Sequence, residues 1–134
     1  YAYSDLESTT SSASGDKKEG ALGAHYAING FYFAGVYTQG DLSYDNTTGG
    51  DKDKGRGYEL AASYNVDAWT FLAGYNFKEA KNNVANTGYV DKIDETLLGV
   101  QYSFTSKLKA YTEYKIQGID DLDDEFTVAL QYNF

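Results

Sequence analysis

Hydrophobic and polar residues alternate along most of this chain, and the alternation is strictest near its end. Between residues 124 and 134 every second side chain is apolar: Phe126, Val128, Leu130, Tyr132 and Phe134. A period of two places these side chains on one face of a strand, so this face meets an apolar environment and the other a polar one. The segment ends on an aromatic ring, which favours a strand at a membrane interface over the frayed end of a soluble sheet.

The same alternation predicts eight strands, the first of them incomplete. They are residues 1–7, 19–28, 31–40, 57–66, 69–78, 93–104, 108–117 and 124–134. Their connections alternate in length. Polar loops are predicted at 8–18, 41–56, 79–92 and 118–123, and short turns at 29–30, 67–68 and 105–107. Transmembrane barrels have this arrangement because their short turns lie on the periplasmic side and their longer loops outside.

Aromatic residues are concentrated at the strand ends that adjoin the short turns. This set includes Trp69, Phe71, Tyr102 and Phe104, and a sparser aromatic set lies near the long loops. Two such rings around aliphatic positions are expected of the aromatic girdles at the two membrane surfaces. Alternation alone would also suit a soluble sandwich. The placement of the aromatic residues and the alternating loop lengths favour a barrel over a sandwich. We therefore predict an all-β fold, an antiparallel transmembrane β-barrel.

The opposite face of the predicted strands is polar, is built mostly from small residues and carries ionisable side chains. If this face lines an aqueous lumen, its charges set a weak ion preference. The pore-lining candidates are Glu59, Lys78, Lys109, Glu113 and Lys115. The alternative is that these charges pair with one another and only solvate the wall.

Composition excludes several functional classes. The net charge is −9 with only 11 Lys and Arg residues, whereas nucleic-acid binding needs a basic surface. Cys is absent, and His25 is the only histidine, so it is a poor metal ligand or catalyst and is interpreted as lumen lining. No nucleophile, His-carboxylate or phosphate-binding motif is present, so we expect no enzyme, cofactor or metal.

Three stretches of the sequence carry a resemblance to a known family. They are residues 23–34, residues 94–104 followed by a short turn and 110–116, and residues 127–134. Together they resemble the general diffusion porins of Gram-negative outer membranes, which are trimers of sixteen-stranded barrels. The resemblance covers essentially the whole chain and is to the C-terminal half of these porins. It implies that residues 1–134 are part of one barrel domain, with a first strand truncated at Tyr1.

The resemblance also implies a function and partners. The function is passive diffusion of small hydrophilic solutes and ions through a water-filled pore. The partners are outer-membrane lipid and lipopolysaccharide, further copies of the chain in a homotrimer, and the barrel-assembly machinery. The assembly signal would be Leu130, Tyr132 and Phe134. The acidic run at 120–124 could bind divalent cations that bridge lipopolysaccharide. It lacks the glycine turn and the terminal Glu spacing of a calcium loop, so it is interpreted as a solvated external loop.

Two other interpretations remain open from the sequence. The eight strands could close into a small outer-membrane barrel that serves as an anchor or adhesin, because such a barrel can be filled by its own side chains. The chain could also be a porin fragment that is held by the assembly machinery as a substrate, because an open sheet edge is not tolerated in hydrocarbon.

Overall fold

The computed structural model is one antiparallel sheet in which consecutive strands are neighbours from β1 to β8. It describes residues 2–7, 14–44, 52–81 and 88–134. The strands are β1 Ala2–Glu7, β2 Ser14–Ile28, β3 Phe31–Tyr44, β4 Lys52–Val66, β5 Trp69–Lys81, β6 Tyr89–Ser103, β7 Leu108–Gln117 and β8 Glu125–Tyr132. The described residues contain no helix with the length and apolar character to span a membrane.

The pairing register places the predicted apolar residues on one continuous face. From Phe33 on β3 the ladder runs through Ala62, Ala73 and Leu98 to Tyr114 on β7. The sequence of β3 leaves its faces ambiguous, because apolar residues occur at both alternating sets of positions, and the predicted outer set is Phe31, Phe33, Gly35 and Tyr37. The pairing places this set on the same face as Ala62. We call this side of the sheet the outer face and the opposite side the inner face.

The sheet is a single layer without a hydrophobic core. No described hydrophobic side chain is buried, and several on the outer face are largely exposed, including Leu22 at 77% and Leu130 at 69%. A soluble sandwich would cover these side chains with a second sheet. The described residues do not cover the outer face, so it needs another apolar environment. The outer face of a transmembrane barrel has the same need.

Each hairpin is displaced along the strand direction relative to the one before it. Phe31 follows the first short turn, and its partner Tyr64 lies two residues before the end of β4. Trp69 pairs in the same way with Tyr102, two residues before Phe104. Each hairpin is thus displaced by two residues along the strands for every two strand spacings across the sheet. This displacement corresponds to a strand tilt of roughly 35° relative to the barrel axis. Closed barrels need a tilt of this size, although β1 and β8 are opposite edges of the described sheet.

Several strands are longer than predicted. β2 begins at Ser14, β4 at Lys52 and β6 at Tyr89, and β3 and β5 continue to Tyr44 and Lys81. The predicted loops 8–18, 41–56 and 79–92 were therefore wrong at their ends, and their centres lie outside the described residues. The reason is physical: backbone pairing continues above the apolar segment, where neither face needs alternating hydrophobic residues.

A β-bulge interrupts the register between β5 and β6. Lys78 pairs with Ile93 and Glu79 pairs with Asp91, so Lys92 is an extra residue on β6. Because one added residue reverses the alternation, odd-numbered residues of β6 lie on the outer face above the bulge and even-numbered residues below it.

The predicted short turns have the geometry that their residues favour. Asn29 and Gly30 both have positive φ angles, 48° and 81°, as a type I′ hairpin turn requires. The Gly30 carbonyl also accepts a 2.9 Å hydrogen bond from the Asn65 backbone N–H. In the turn at 105–107, the Thr105 hydroxyl oxygen accepts hydrogen bonds from the backbone N–H groups of Lys107 and Leu108.

We predict that Gly30→Ala destabilises the protein. A Cβ at this position would lie 2.7 Å from the Asn65 carbonyl oxygen, and the φ angle disfavours any side chain. The free energy of unfolding should fall by about 1–3 kcal/mol, measured by urea titration of the full-length protein in detergent. Gly20→Ala is the matched control, because its nearest atom is 4.0 Å away. Equal midpoints for both variants would contradict the prediction.

Candidate functional site

The five pore-lining candidates all lie on the inner face. Glu59 and Lys78 are on neighbouring strands, opposite Asn76 and Gly57 respectively. Lys109, Glu113 and Lys115 lie on the same face of β7, at intervals of four and two residues, and pair with residues of β6 and β8. They are spread from the short-turn end of the sheet to its upper half, so they line a wall and do not form one compact site.

Lys115 is the candidate whose charge is balanced by neighbours. Its Nζ lies 3.0 Å from Glu125 Oε1 and 3.7 Å from Glu95 Oε1. The Gln117 side-chain amide donates a 3.3 Å hydrogen bond to the same Glu95 oxygen. For this residue the structure supports the alternative of mutual pairing. Glu125 and Glu95 had no place among the sequence candidates, although their positions on the polar face of β8 and β6 indicate the contact.

The other four candidates form no ion pair with any described residue. They are Glu59, Lys78, Lys109 and Glu113. Their charges are therefore not balanced by an ion pair within the described part of the chain. His25 also lies on this face, opposite Ala34, and its ring stacks on Tyr32 with 5.9 Å between the centroids.

The candidate girdle residues meet one another on the outer face next to the short turns. Trp69 contacts Phe71 at 6.3 Å and Tyr102 at 4.7 Å between ring centroids, and Tyr102 contacts Phe104 at 4.9 Å. Trp69 and Phe104 are about half exposed. The rings thus form a connected row along one end of the apolar face, where a membrane surface favours amphipathic aromatic side chains.

The three residues of the predicted assembly signal lie on the outer face of β8. Leu130 pairs with Ala110 and Tyr132 with Leu108 on β7. The Tyr132 and Phe134 rings make an edge-to-face contact at 5.2 Å. All three side chains are exposed, so they are accessible to a partner that reads this strand.

A row of charged residues lies on the outer face at a similar distance from the short turns. Each member is ten residues from the short-turn end that the sequence predicts for its strand, although β6 and β8 end at Ser103 and Tyr132 in the structure. Together we call them the charged collar: Lys18, Asp41, Arg56, Glu79, Asp94 and Asp124. At the tilt derived above, ten residues rise roughly 27 Å. This height matches the apolar band of about 25 Å in outer-membrane barrels, so the collar marks the upper edge of the membrane-facing surface.

Arg56 joins two neighbouring strands at the collar. Its guanidinium Nε donates to Glu79 Oε1 on the neighbouring strand, and its Cζ lies 4.4 Å from the centroid of the Tyr89 ring. Tyr89 can reach the outer face only because the β6 bulge reverses the alternation. Sequence reasoning missed this cluster because it assigned Arg56, Glu79 and Tyr89 to loops.

Two aspartates of the collar are held by tyrosine hydroxyl groups. The Tyr75 hydroxyl donates to Asp94 Oδ1 at 2.8 Å, and the Tyr114 hydroxyl donates to Asp124 Oδ2 at 2.7 Å. The Gln117 backbone N–H donates to the other Asp124 oxygen at 2.9 Å. These bonds hold the pKa of Asp124 below its usual value. The last residue of the acidic run is thus an ordered contact and not only a solvated side chain.

Comparison with protein families gives a match over the whole chain. A family described as Gram-negative porin matches residues 1–134. Among characterised relatives, outer membrane protein U of Vibrio parahaemolyticus is 28% identical over 100% of this chain and 42% of its own length. Outer membrane porin PhoE of Enterobacter cloacae is 30% identical over 91% of this chain and 37% of its own length. The chain therefore spans less than half the length of these relatives.

A solved structure shows the same fold. It is a loop-deletion variant of OmpT, an outer membrane protein of Vibrio cholerae, with a TM-score of 0.70 and 22% sequence identity. The match covers 96% of this chain and 43% of that protein. The open sheet described here thus corresponds to part of an outer-membrane β-barrel, which confirms the fold class predicted from the sequence.

We predict that the contribution of Asp124 to stability depends on pH. Because its folded-state pKa is lowered, the contribution is fully present above the ordinary aspartate value of about 3.9 and is lost as the pH falls through the lowered value. Asp124→Asn should therefore reduce the urea midpoint of the full-length protein at pH 7 and have little effect near pH 2. A midpoint difference that is constant across this range would contradict the prediction.

We predict that Trp69 lies at the headgroup level of a bilayer. In vesicles, lipids with a quencher near the headgroup should reduce its fluorescence more than lipids with a quencher at the bilayer centre. Subtracting the signal of Trp69→Phe isolates this side chain in the full-length protein. Stronger quenching from the bilayer centre would rule out the girdle position.

Proposed function

Because the chain belongs to the Gram-negative porin family, we propose that it forms part of the wall of a water-filled barrel through which small hydrophilic solutes and ions diffuse passively. The protein resides in the Gram-negative outer membrane, as its relatives and structural neighbour do. Members of this family are channels, and we extend this to the chain itself, which we propose is a channel wall and not an enzyme.

The observation that supports this proposal is the contrast between the two faces of a single-layer sheet. The outer face is apolar up to the charged collar and has no protein cover among the described residues. The inner face carries ionisable side chains at several heights, and four of them have no ion-pair partner in the described part of the chain. Lipid on one side and water on the other satisfy both faces.

The unpaired inner charges support a role in ion preference. A charge fixed on a pore wall attracts mobile ions of the opposite sign and repels those of its own sign. Lys109 and Glu113 are four residues apart on β7 and have opposite charges, so their effects on an ion farther away in the lumen partly cancel. We therefore propose a weak preference and no strict selectivity.

The exposed outer side of β8 supports a role in assembly. We propose that the barrel-assembly machinery recognises Leu130, Tyr132 and Phe134, because an exposed apolar row along an edge strand of the described sheet offers both side-chain and backbone contacts. We also propose a homotrimer for the full-length protein and lipopolysaccharide contacts near the charged collar. No feature of the described sheet favours a closed eight-stranded anchor.

We predict that Lys109→Glu combined with Lys115→Glu shifts the reversal potential of the full-length protein towards cation selectivity. The double substitution replaces two positive wall charges with two negative ones, so it raises the local concentration of cations. The measurement is made on planar bilayers that separate two potassium chloride concentrations.

The control for this experiment is Lys54→Glu. Lys54 lies on the outer face of β4 above the collar, so the same type of charge reversal occurs away from the lumen. An unchanged reversal potential in the double variant would remove both lysines from the selectivity mechanism. A shift of equal size per charge in Lys54→Glu would show that the effect does not depend on the inner face.

A further inference from the structure

A shallow apolar depression interrupts the polar inner face at about half the height of the sheet. Its floor is formed by Ala61 and Gly74, which are cross-strand partners on β4 and β5. Three larger apolar side chains surround this floor: Val36, Leu72 and Leu97. Of these, Val36 is 38% and Leu72 46% exposed. Water alone gives no reason to expose aliphatic side chains on this face.

The depression owes its shape to missing side chains. A Cβ on Gly74 would lie 3.4 Å from Leu97 Cδ1, in ordinary van der Waals contact, so a side chain at this position would fill the space beside the leucine. Gly99 takes the same position beside Leu72, with 3.3 Å between its hypothetical Cβ and the Leu72 Cβ. The result is a flat apolar surface bordered by two leucines on one side and a valine on the other.

Charged groups of both signs border the upper edge of this surface. Glu59 is two residues from Ala61 on the same face of β4, which is about 6.7 Å along the strand. Lys78 lies on β5 opposite Gly57. A groove of about 220 Å³ contains both groups, and its polar lining is Glu19, Thr38, Glu59, Asn76 and Lys78.

Glu59 and Lys78 are on adjacent strands but form no ion pair with each other or with another described residue. A diagonal spacing of this kind keeps the two charges several ångströms apart. A solute that carries an ammonium and a carboxylate group can therefore contact both. An apolar group on the same solute would lie over the depression just below.

We propose that the groove and the depression form one site for amphipathic zwitterions, such as amino acids and short peptides with an apolar side chain. Lys78 contacts the carboxylate of the solute, Glu59 contacts its ammonium group, and the apolar side chain lies over Ala61 and Gly74. The inference rests on the proposed channel function. It adds a preferred class of solute and a place on the wall where that solute pauses.

The test is the ion current of the full-length protein in planar bilayers during titration with phenylalanine. The current should fall saturably, because a bound solute narrows the path. Glycine, which is a zwitterion without an apolar side chain, should reduce it much less. Lys78→Gln and Glu59→Gln should each raise the half-saturating phenylalanine concentration about two- to fivefold, as expected for the loss of one exposed charge contact.

Two matched variants separate the site from the general charge of the wall. Lys109→Gln removes the same charge from the inner face but near the short turns, so it should leave the half-saturating concentration unchanged. Leu72→Ser should weaken the effect of phenylalanine and leave that of glycine as it was.

The possible outcomes are distinct. If the wild-type protein conducts ions but phenylalanine and glycine act alike, or Lys78→Gln and Lys109→Gln shift the titration equally, the zwitterion site is refuted and the channel function stands. If the wild-type protein does not conduct ions, the proposed function itself fails.

Discussion

The antiparallel backbone ladder is the interaction on which the rest of this structure depends. Within hydrocarbon a backbone N–H or C=O group has no water to bind, so each must find a partner on the next strand. The register from β2 to β8 meets this demand with a single described bulge. Once the register is set, every side chain is assigned to one face or the other, and a shift by one residue would exchange lipid-facing and water-facing groups.

The faces and the short turns could be predicted from the sequence because they leave local signals. Strict alternation marks the outer face, and the Asn29-Gly30 pair marks a hairpin by its need for positive φ angles. The third strand was ambiguous because Tyr32 and Val36 are as apolar as its outer residues. The ladder resolves it, since Phe31 pairs with Tyr64 and so belongs to the outer face. That information is not present in the strand itself.

The upper parts of the strands and their contacts could not be predicted in this way. Above the collar both faces meet water, so hydrophobic alternation stops while backbone pairing continues. The contact between Arg56 and Tyr89 also depends on an extra residue at position 92 that reverses the alternation. A signal for the collar was nevertheless present in the sequence, because a charge recurs ten residues from the predicted turn-proximal end of six strands. Among the pore-lining candidates, Lys115 differs from the rest because it forms ion pairs with Glu95 and Glu125. The sequence could not predict these pairs, because they depend on how β6, β7 and β8 are placed relative to one another.

The bulge between β5 and β6 also bears on how such a chain can change over time. Below it, inserting one amino acid would turn a lipid-facing row towards the lumen. Above it, the extra residue has already reversed the alternation of β6 while the strands stay paired. Tyr89 therefore lies on the outer face, where it contacts Arg56. A gain or loss of one residue on the loop side of this bulge would therefore leave the register of the strands below it unchanged.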